Sequence, residues 1–498
     1  MRYLVLVIAL SGPLFATVPC ENLAKLALPR ATVTLAQPVA AGQLTLPAGA
    51  VPTFPGFPAP NFGNLPAFCR VAATLTPSSD SDIKIEIWMP ASGWNHKLES
   101  VGNGAWAGTI GYRDLASAVT AGYAAASTDT GHTGNTATFV VGHPEKLADF
   151  AYRAIHEMTI AAKAITSAYY GNGLQRAYFN GCSTGGRQAL AEAQRFPADY
   201  DGIIAGAAAN YPTHLQGAQV WTAQVSNQDP AGHIPPSKYA LIHNAALETC
   251  DALDGVKDRV LEDPTRCHFD PQVLLCKNGD EPTCLTAAQV EVARKTYAGP
   301  GPSLFPGLER GSELGWTNLS SPKPMALAQE TYKYLVFHDP NWDYLTFDPA
   351  RDVALADKVA GPIMNSTDPN LSPFFQHGGK LLMYHGWADP GIAPRNSVNY
   401  YKSVVDTVGT AKAADSIRLF MVPGMGHCAG GDGTDDFDKI GTLAQWVEKS
   451  QPPDRIPAAH RAKGVVDRTR PLCPFPQVAQ YRGTGSTDDA ASFVCQAP

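Results

Sequence analysis

The stretch RAYFN-GCSTGG-RQALAEAQRF, residues 176–196, constrains this chain more than any other. It reads as a short apolar strand, a turn of small residues and a helix stopped by Pro197. Upstream, Ala151, Ile155, Met158, Ala162, Ile165 and Tyr169 recur at spacings of three and four. That spacing predicts a helix over 148–170, ended by Gly171 and Gly173. Downstream, DGIIAGA from Asp201 is a second small apolar strand. Helix, strand, sharp turn, helix, strand requires an α/β fold with a mostly parallel sheet and helices on both faces. IKIEIWMP (83–90) alternates like a half-buried strand, and AGYAAASTDT (121–130) reads as a strand ending in polar groups.

The alternation lapses from about 209 to 369, where Pro, Cys and aromatic residues concentrate. It returns in KLLMYHGWADP (380–390) and SIRLFMVPGMGHC (416–428), each a strand running into a polar loop. The expected organisation is an α/β core from 20–208 and 370–498, with 209–369 an inserted domain. The aromatics of the insertion include Tyr211, Trp221, Trp316, Tyr332, Tyr334, Phe337, Trp342 and Tyr344, and most of them read as the insertion's own core.

Composition narrows the classes. Against 45 Asp and Glu stand 38 Lys and Arg, a formal net charge of −7, which gives no basic footprint for nucleic acid. The 44% hydrophobic content excludes a disordered chain. Met1 and Arg2, the apolar run LVLVIAL and then Ser11, Gly12 and Pro13 predict a signal peptide over residues 1–19, too short for a membrane anchor. No later stretch is long and apolar enough to span a bilayer. A secreted or periplasmic protein is expected, and there the ten cysteines can form about five bridges.

Gly181-Cys182-Ser183-Thr184-Gly185 matches G-x-S-x-G in the strand–turn–helix setting of a nucleophile elbow. A serine hydroxyl needs a general base and an acid to orient that base. Asp389 and His427 follow Ser183 in the order such a fold uses, each at a strand end. His132 and His156 precede the serine and break that order, while His385 lies inside the strand before Asp389. Cys182 and Cys428 adjoin the candidate nucleophile and base. A bridge between them would hold both loops together; pairing elsewhere, or free thiols, is the alternative.

Another segment, Cys250-Asp-Ala-Leu-Asp254-Gly-Val256-Lys-Asp258-Arg-Val260, places three carboxylates within eight residues, bracketed by Cys250 and Cys267. A hard calcium ion takes six to eight oxygens from such groups. The spacing is not that of an EF-hand, and an acidic turn is the competing reading.

Cys-Ser, Asp and His-Cys in this order resemble the tannase / feruloyl esterase family. The resemblance runs through GNGAWAGTIGY, STDTGH, NGCSTGGRQAL, YHGWADPGIAP, PGMGHCAGG and the Cys473–Cys495 tail, nearly the whole mature chain. It implies an α/β-hydrolase fold with an inserted lid, Ser183 as nucleophile, His427 as base and Asp389 as its partner. It also implies the bridges Cys182–Cys428, Cys20–Cys69, Cys250–Cys267, Cys276–Cys284 and Cys473–Cys495. The oxyanion would lie on the N–H of Thr184 and one from GNGAWAG, Gly104 in preference to Ala105, where many relatives carry a further glycine.

CDALDGVKDRVLEDPTRCHFDP resembles the family's lid calcium site. By that match Asp251, Asp254 and Asp258 supply side chains and Val256 and Val260 carbonyls for a structural Ca²⁺, with no organic cofactor. The implied activity is serine carboxylester hydrolysis through an acyl-serine, on small aromatic (phenolic) acid esters of plant cell-wall or polyphenol origin. Feruloyl-type or broad phenolic hydrolysis is favoured over strict tannin hydrolysis. The alternatives are a terephthalate-monoester-type esterase and a non-catalytic α/β-hydrolase-like binding protein. Such binding proteins usually lack a triad member, and none is missing here.

Overall fold

A computed structural model describes residues 18–47, 49–51 and 61–498. The expected leader, apart from its last two residues, lies outside the described residues.

Nine strands form one sheet in the order β1-β2-β3-β5-β4-β6-β7-β8-β9. They are β1 (Ala31–Val39), β2 (Phe68–Leu75), β3 (Ile83–Pro90), β4 (Lys97–Val101), β5 (Ala124–Thr128), β6 (Arg176–Cys182), β7 (Gly202–Gly206), β8 (Lys380–Gly386) and β9 (Ile417–Val422). From β5 to β9 every neighbouring pair is parallel. The β1-β2-β3-β5 side is antiparallel. The parallel strands are covered on both faces, so their sequences are continuously apolar or small: AAAST in β5 and GIIAG in β7 are wholly buried.

The main helices are α1 (Tyr112–Thr120), α2 (Pro144–Ala148), α3 (Ala154–Tyr170), α4 (Thr184–Arg195) and α5 (Pro212–Asn227). The helix expected over 148–170 is interrupted at its start. A π turn, Asp149–Arg153, separates α2 from α3, and Gly171 closes α3 at φ 72°. The reason lies on α4. Arg187 is fully buried, donates from Nη1 to the carbonyl of Ala151 (2.6 Å) and from Nη2 to that of Phe150 (3.3 Å), and stacks on the Phe150 ring. These bonds give the carbonyls of Phe150 and Ala151, inside the widened turn, a buried side-chain donor.

Residues between β7 and β8 are helical and irregular, with cores of their own. In one, Tyr332 is wholly buried and packs on Phe337, Trp342 and Phe347. In the other, Trp316 packs on Tyr239 and Tyr297. These aromatics serve packing, as expected for most of them. The chain returns through β8 and β9 and ends in short antiparallel strands, including Ile456–Ala462 paired with Val465–Leu472 and Val478–Tyr481 paired with Phe493–Gln496. These strands were not anticipated. All ten cysteines pair, in the five combinations the resemblance implied. Among the described residues no helix is long and apolar enough to cross a membrane.

Candidate active site

Register aligns the ends of four adjacent parallel strands. Cys182 at the end of β6 pairs with Gly206 of β7, Gly206 with Tyr384 of β8, and Gly386 of β8 with Val422 of β9. Ser183, Asp389 and His427 all emerge from this edge. Ser183 takes φ 64°, ψ −120°, a conformation that costs a non-glycine residue about 1–3 kcal/mol. The surroundings hold it there: its N–H donates to the Gly206 carbonyl (3.0 Å), and its carbonyl accepts from Ala209 (3.0 Å) and Arg187 (3.1 Å). Gly181 is required because a Cβ there would lie 2.3 Å from the Gly185 carbonyl oxygen, where the first turn of α4 folds back on β6. The N-terminus of α4 begins at Thr184, so the elbow sits at the positive end of a helix.

The candidate acid and base meet directly. His427 Nδ1 donates to Asp389 Oδ2 at 2.7 Å. Asp389 is wholly buried, and its Oδ1 accepts the N–H groups of Gly391 (2.8 Å) and Ile392 (2.9 Å). Burial alone would raise the Asp389 carboxyl. The charge of His427 and hydrogen bonds from His385 and His427 outweigh it and hold the carboxyl well below the usual carboxylate range. For His427, burial disfavours the imidazolium, but the charge and hydrogen bond of Asp389 prevail and raise its pKa above the usual histidine value. Gly386 lets the two loops approach: a Cβ there would lie 2.2 Å from the Met425 carbonyl oxygen, two residues before His427. Cys182 and Cys428 are bonded with their Cα atoms 6.0 Å apart, which ties the serine loop to the histidine loop.

The loop GNGAWAG faces the elbow from β4. Thr184 Oγ1 donates to the Ala105 carbonyl at 3.0 Å. Asn103 and Gln188 of α4 bond reciprocally: Asn103 N–H to Gln188 Oε1 (2.9 Å) and Gln188 Nε2 to Asn103 Oδ1 (3.1 Å). Ala105 has φ 47°, a left-handed conformation that glycine adopts at lower cost, in keeping with the glycine expected in relatives. Gly104 is exposed, with open space where a Cβ would stand.

Of the rival histidines, His156 bonds Asp199 at 2.7 Å, away from this site. His132 is buried, and its Nε2 is 2.7 Å from the Trp106 carbonyl, so it braces the GNGAWAG loop. Sequence reading missed Asn103, Gln188 and the bracing by His132. Their motifs, GNGAWAG and STDTGH, were the signal available.

A family model described as tannase and feruloyl esterase matches residues 69–496. The chain belongs to this family. It is 38% identical to an uncharacterized esterase of Xanthomonas campestris, over 99% of this chain and 94% of that one. It is 36% identical to a probable feruloyl esterase B-1 of Aspergillus oryzae, over 86% and 84%. The crystal structure of feruloyl esterase B from Aspergillus oryzae superposes with a TM-score of 0.88 at 33% identity, covering 96% of this chain and 99% of that one. A tannin acyl hydrolase from Aspergillus niger, 24% identical, shares the fold with a TM-score of 0.79 over 97% of each chain. As a member of the tannase and feruloyl esterase family, the protein is a carboxylic ester hydrolase of α/β fold.

Proposed function

We propose that this chain is an exported serine esterase that hydrolyses feruloyl-type esters, with Ser183, His427 and Asp389 as its catalytic triad. One observation carries the reading: a strained serine elbow bonded through Cys182–Cys428 to a histidine that already donates to a buried, ionised aspartate. In turnover, Ser183 Oγ attacks the ester carbonyl carbon while His427 Nε2 takes its proton, and His427 Nδ1–H stays on Asp389. The N–H groups of Thr184 and Gly104 receive the oxyanion. Collapse breaks the ester C–O bond, and His427 returns the proton to the leaving alcohol. Water deprotonated by His427 then cleaves the acyl-serine and releases the acid. Identity supports the feruloyl assignment: relatives named feruloyl esterases reach 36%, whereas likeness to the tannin acyl hydrolase reaches the fold alone. Five disulfides and the expected leader support export and an extracellular, plant-derived ester.

A structural calcium ion is part of the same proposal. Asp251, Asp254 and Asp258 offer only hard oxygen donors, alongside the carbonyls of Val256 and Val260. Asp251 and Asp254 line a cavity of about 200 Å³ together with Glu262 and Asp263. Burial, then the charges of Asp258 and Asp251, push the Asp254 carboxyl up to about 6 although Val256 N–H and Arg470 oppose this. Such crowding fits a bound cation. Arg470 supplies part of the countercharge, at 2.5 Å from Asp258.

A hydrolysis panel tests the function: methyl ferulate, chlorogenate, methyl gallate and a terephthalate monoester, with Ser183→Ala as control. Ferulate and chlorogenate should be cleaved fastest, and Ser183→Ala should be inactive yet folded. Preference for gallate or terephthalate would overturn the acyl assignment. Activity in Ser183→Ala would overturn the triad.

A further inference from the structure

Asp389 has a second imidazole on it. His385 Nε2 lies 3.1 Å from Asp389 Oδ2, the oxygen that also accepts from His427, and 3.1 Å from the Ile392 carbonyl. Its Nδ1 lies 2.7 Å from Ser397 Oγ, on the helix Arg395–Val408. His385 and Asp389 are wholly buried and Ser397 is 1% exposed. The tautomer follows from the partners. Nε2 faces two acceptors with no proton of their own, so Nε2 must carry one; Ser397 is a hydroxyl and can donate to Nδ1. Both ring nitrogens are therefore engaged, and the buried ring offers no free nitrogen to Ser183, which removes His385 as a base.

We propose that His385 is the positioning residue of the candidate triad, locking the Asp389 carboxylate toward His427, and that Ser397 in turn locks the His385 ring. With this contact Asp389 accepts four N–H groups, from Gly391 and Ile392 on Oδ1 and from His385 and His427 on Oδ2. Four donors converging on a wholly buried carboxylate leave it one orientation. Without His385, Oδ2 keeps a single hydrogen-bond partner, the partly exposed His427, while Oδ1 keeps the N–H groups of Gly391 and Ile392. Ser183, Asp389 and His427 thus extend inward into a buried hydrogen-bonded line, His427–Asp389–His385–Ser397.

The inference rests on Ser183 being the nucleophile and not on which acyl group is preferred. It is therefore tested by the second-order rate at which an aryl phosphonate labels Ser183, alongside kcat and KM on an activated ester. His385→Leu should slow labelling and kcat by about 10- to 100-fold, the range for orienting partners one step behind a reacting group, with KM unchanged. His385→Gln, whose Nε2 can reach Asp389, should recover most of that loss. Ser397→Ala should cost a smaller factor, a few-fold. Labelling of His385→Leu at the wild-type rate overturns the proposal. So does equal impairment of the Leu and Gln variants with a raised KM, which would mark a packing role. Should His385→Leu not fold, Ser397→Ala decides: a wild-type labelling rate overturns the proposal and a few-fold loss supports it. Absence of labelling in the wild type would instead refute the serine triad itself.

Discussion

Asp389 and Asp254 are the same side chain in two loops, one behind the Cys182–Cys428 bridge and one closed by Cys250–Cys267, and their carboxyl groups move in opposite directions. Asp389, wholly buried, is held well below the usual range; Asp254, only half-buried, is pushed up to about 6. Burial opposes the charge in both. The difference is in the partners. Asp389 receives two imidazole and two backbone N–H groups, whereas Asp254 receives Val256 N–H and faces the charges of Asp258 and Asp251. Donor count and the sign of neighbouring charge therefore decide in which direction each carboxyl moves. Asp389 is fully supplied with donors by its own loop, the preceding strand and the His427 loop. In the second loop, Asp251, Asp254 and Asp258 face Arg470 and Arg468, and a bound cation would add to that countercharge.

The largest effect should come from removing the charge of Asp389 while keeping its shape. Asp389→Asn should lower kcat by about 10⁴-fold, because the amide no longer holds His427 in the required tautomer. Burst and steady-state kinetics on methyl ferulate would check this, and a loss under tenfold would show that Asp389 does not orient the base. Next come the two staples. Cys182–Cys428 closes 246 residues and Cys250–Cys267 closes 17. In the chain-entropy picture these stabilise by about 5 and about 3 kcal/mol. The Cys182→Ala/Cys428→Ala double variant should lose kcat as well as stability. The Cys250→Ala/Cys267→Ala double variant should lose stability alone. Equal kcat for the two would mean that the longer bridge is only a staple.

The candidate elbow, acid and base could be placed at one sheet edge from sequence because each lies next to a strand end, so local pattern and chain order suffice for the placement. Adjacency to the candidate serine and histidine offered the Cys182–Cys428 bridge as one possibility, and the family resemblance was needed to choose it and the other four pairs. What escaped were contacts between distant segments. Arg187 reaches the carbonyls of Phe150 and Ala151 and so accounts for the π turn that breaks the expected helix. Gln188 binds Asn103 across 85 positions. His385 showed a different limit: only four residues from Asp389, it was by sequence a rival base, and in the fold it is a second donor to Asp389. The antiparallel β1–β2–β3 side and the C-terminal strands depend on pairing partners that periodicity does not reveal.

Raised basicity of His427 has a direct pH consequence. Catalysis needs the neutral imidazole, so the acid limb of kcat/KM should lie above the ordinary histidine value of about 6.5. In Asp389→Asn that limb should move down, because the charge that raised it is gone. A wild-type limb below about 6 would contradict the Asp389–His427 pairing. Stability responds with separate signs. The His427 contribution is full below its unfolded value and fades as pH rises through the elevated native one. The Asp389 contribution is full above about 3.9 and fades as pH falls toward its depressed native value.

The smallest effect separates the second loop from the first. Without a metal, Asp254 titrates near 6 in the folded chain against about 3.9 unfolded. Its native form therefore prefers the proton. That preference favours folding below about pH 3.9 and is lost as pH rises through about 6. Chelator-treated protein should accordingly gain a little in Tm between about pH 7 and about pH 5.5, as far as this group is concerned. Added Ca²⁺ should raise Tm by a few degrees at the higher pH, and less at the lower, where protons compete for the same oxygens. Asp254→Asn should remove most of the calcium response while leaving kcat on methyl ferulate unchanged, since the ion would brace the lid and touch no reacting atom. Differential scanning calorimetry with and without chelator at the two pH values decides it. A Tm indifferent to calcium at neutral pH, or a calcium response that survives in Asp254→Asn, would show that the acidic loop is a turn balanced by Arg470 and Arg468.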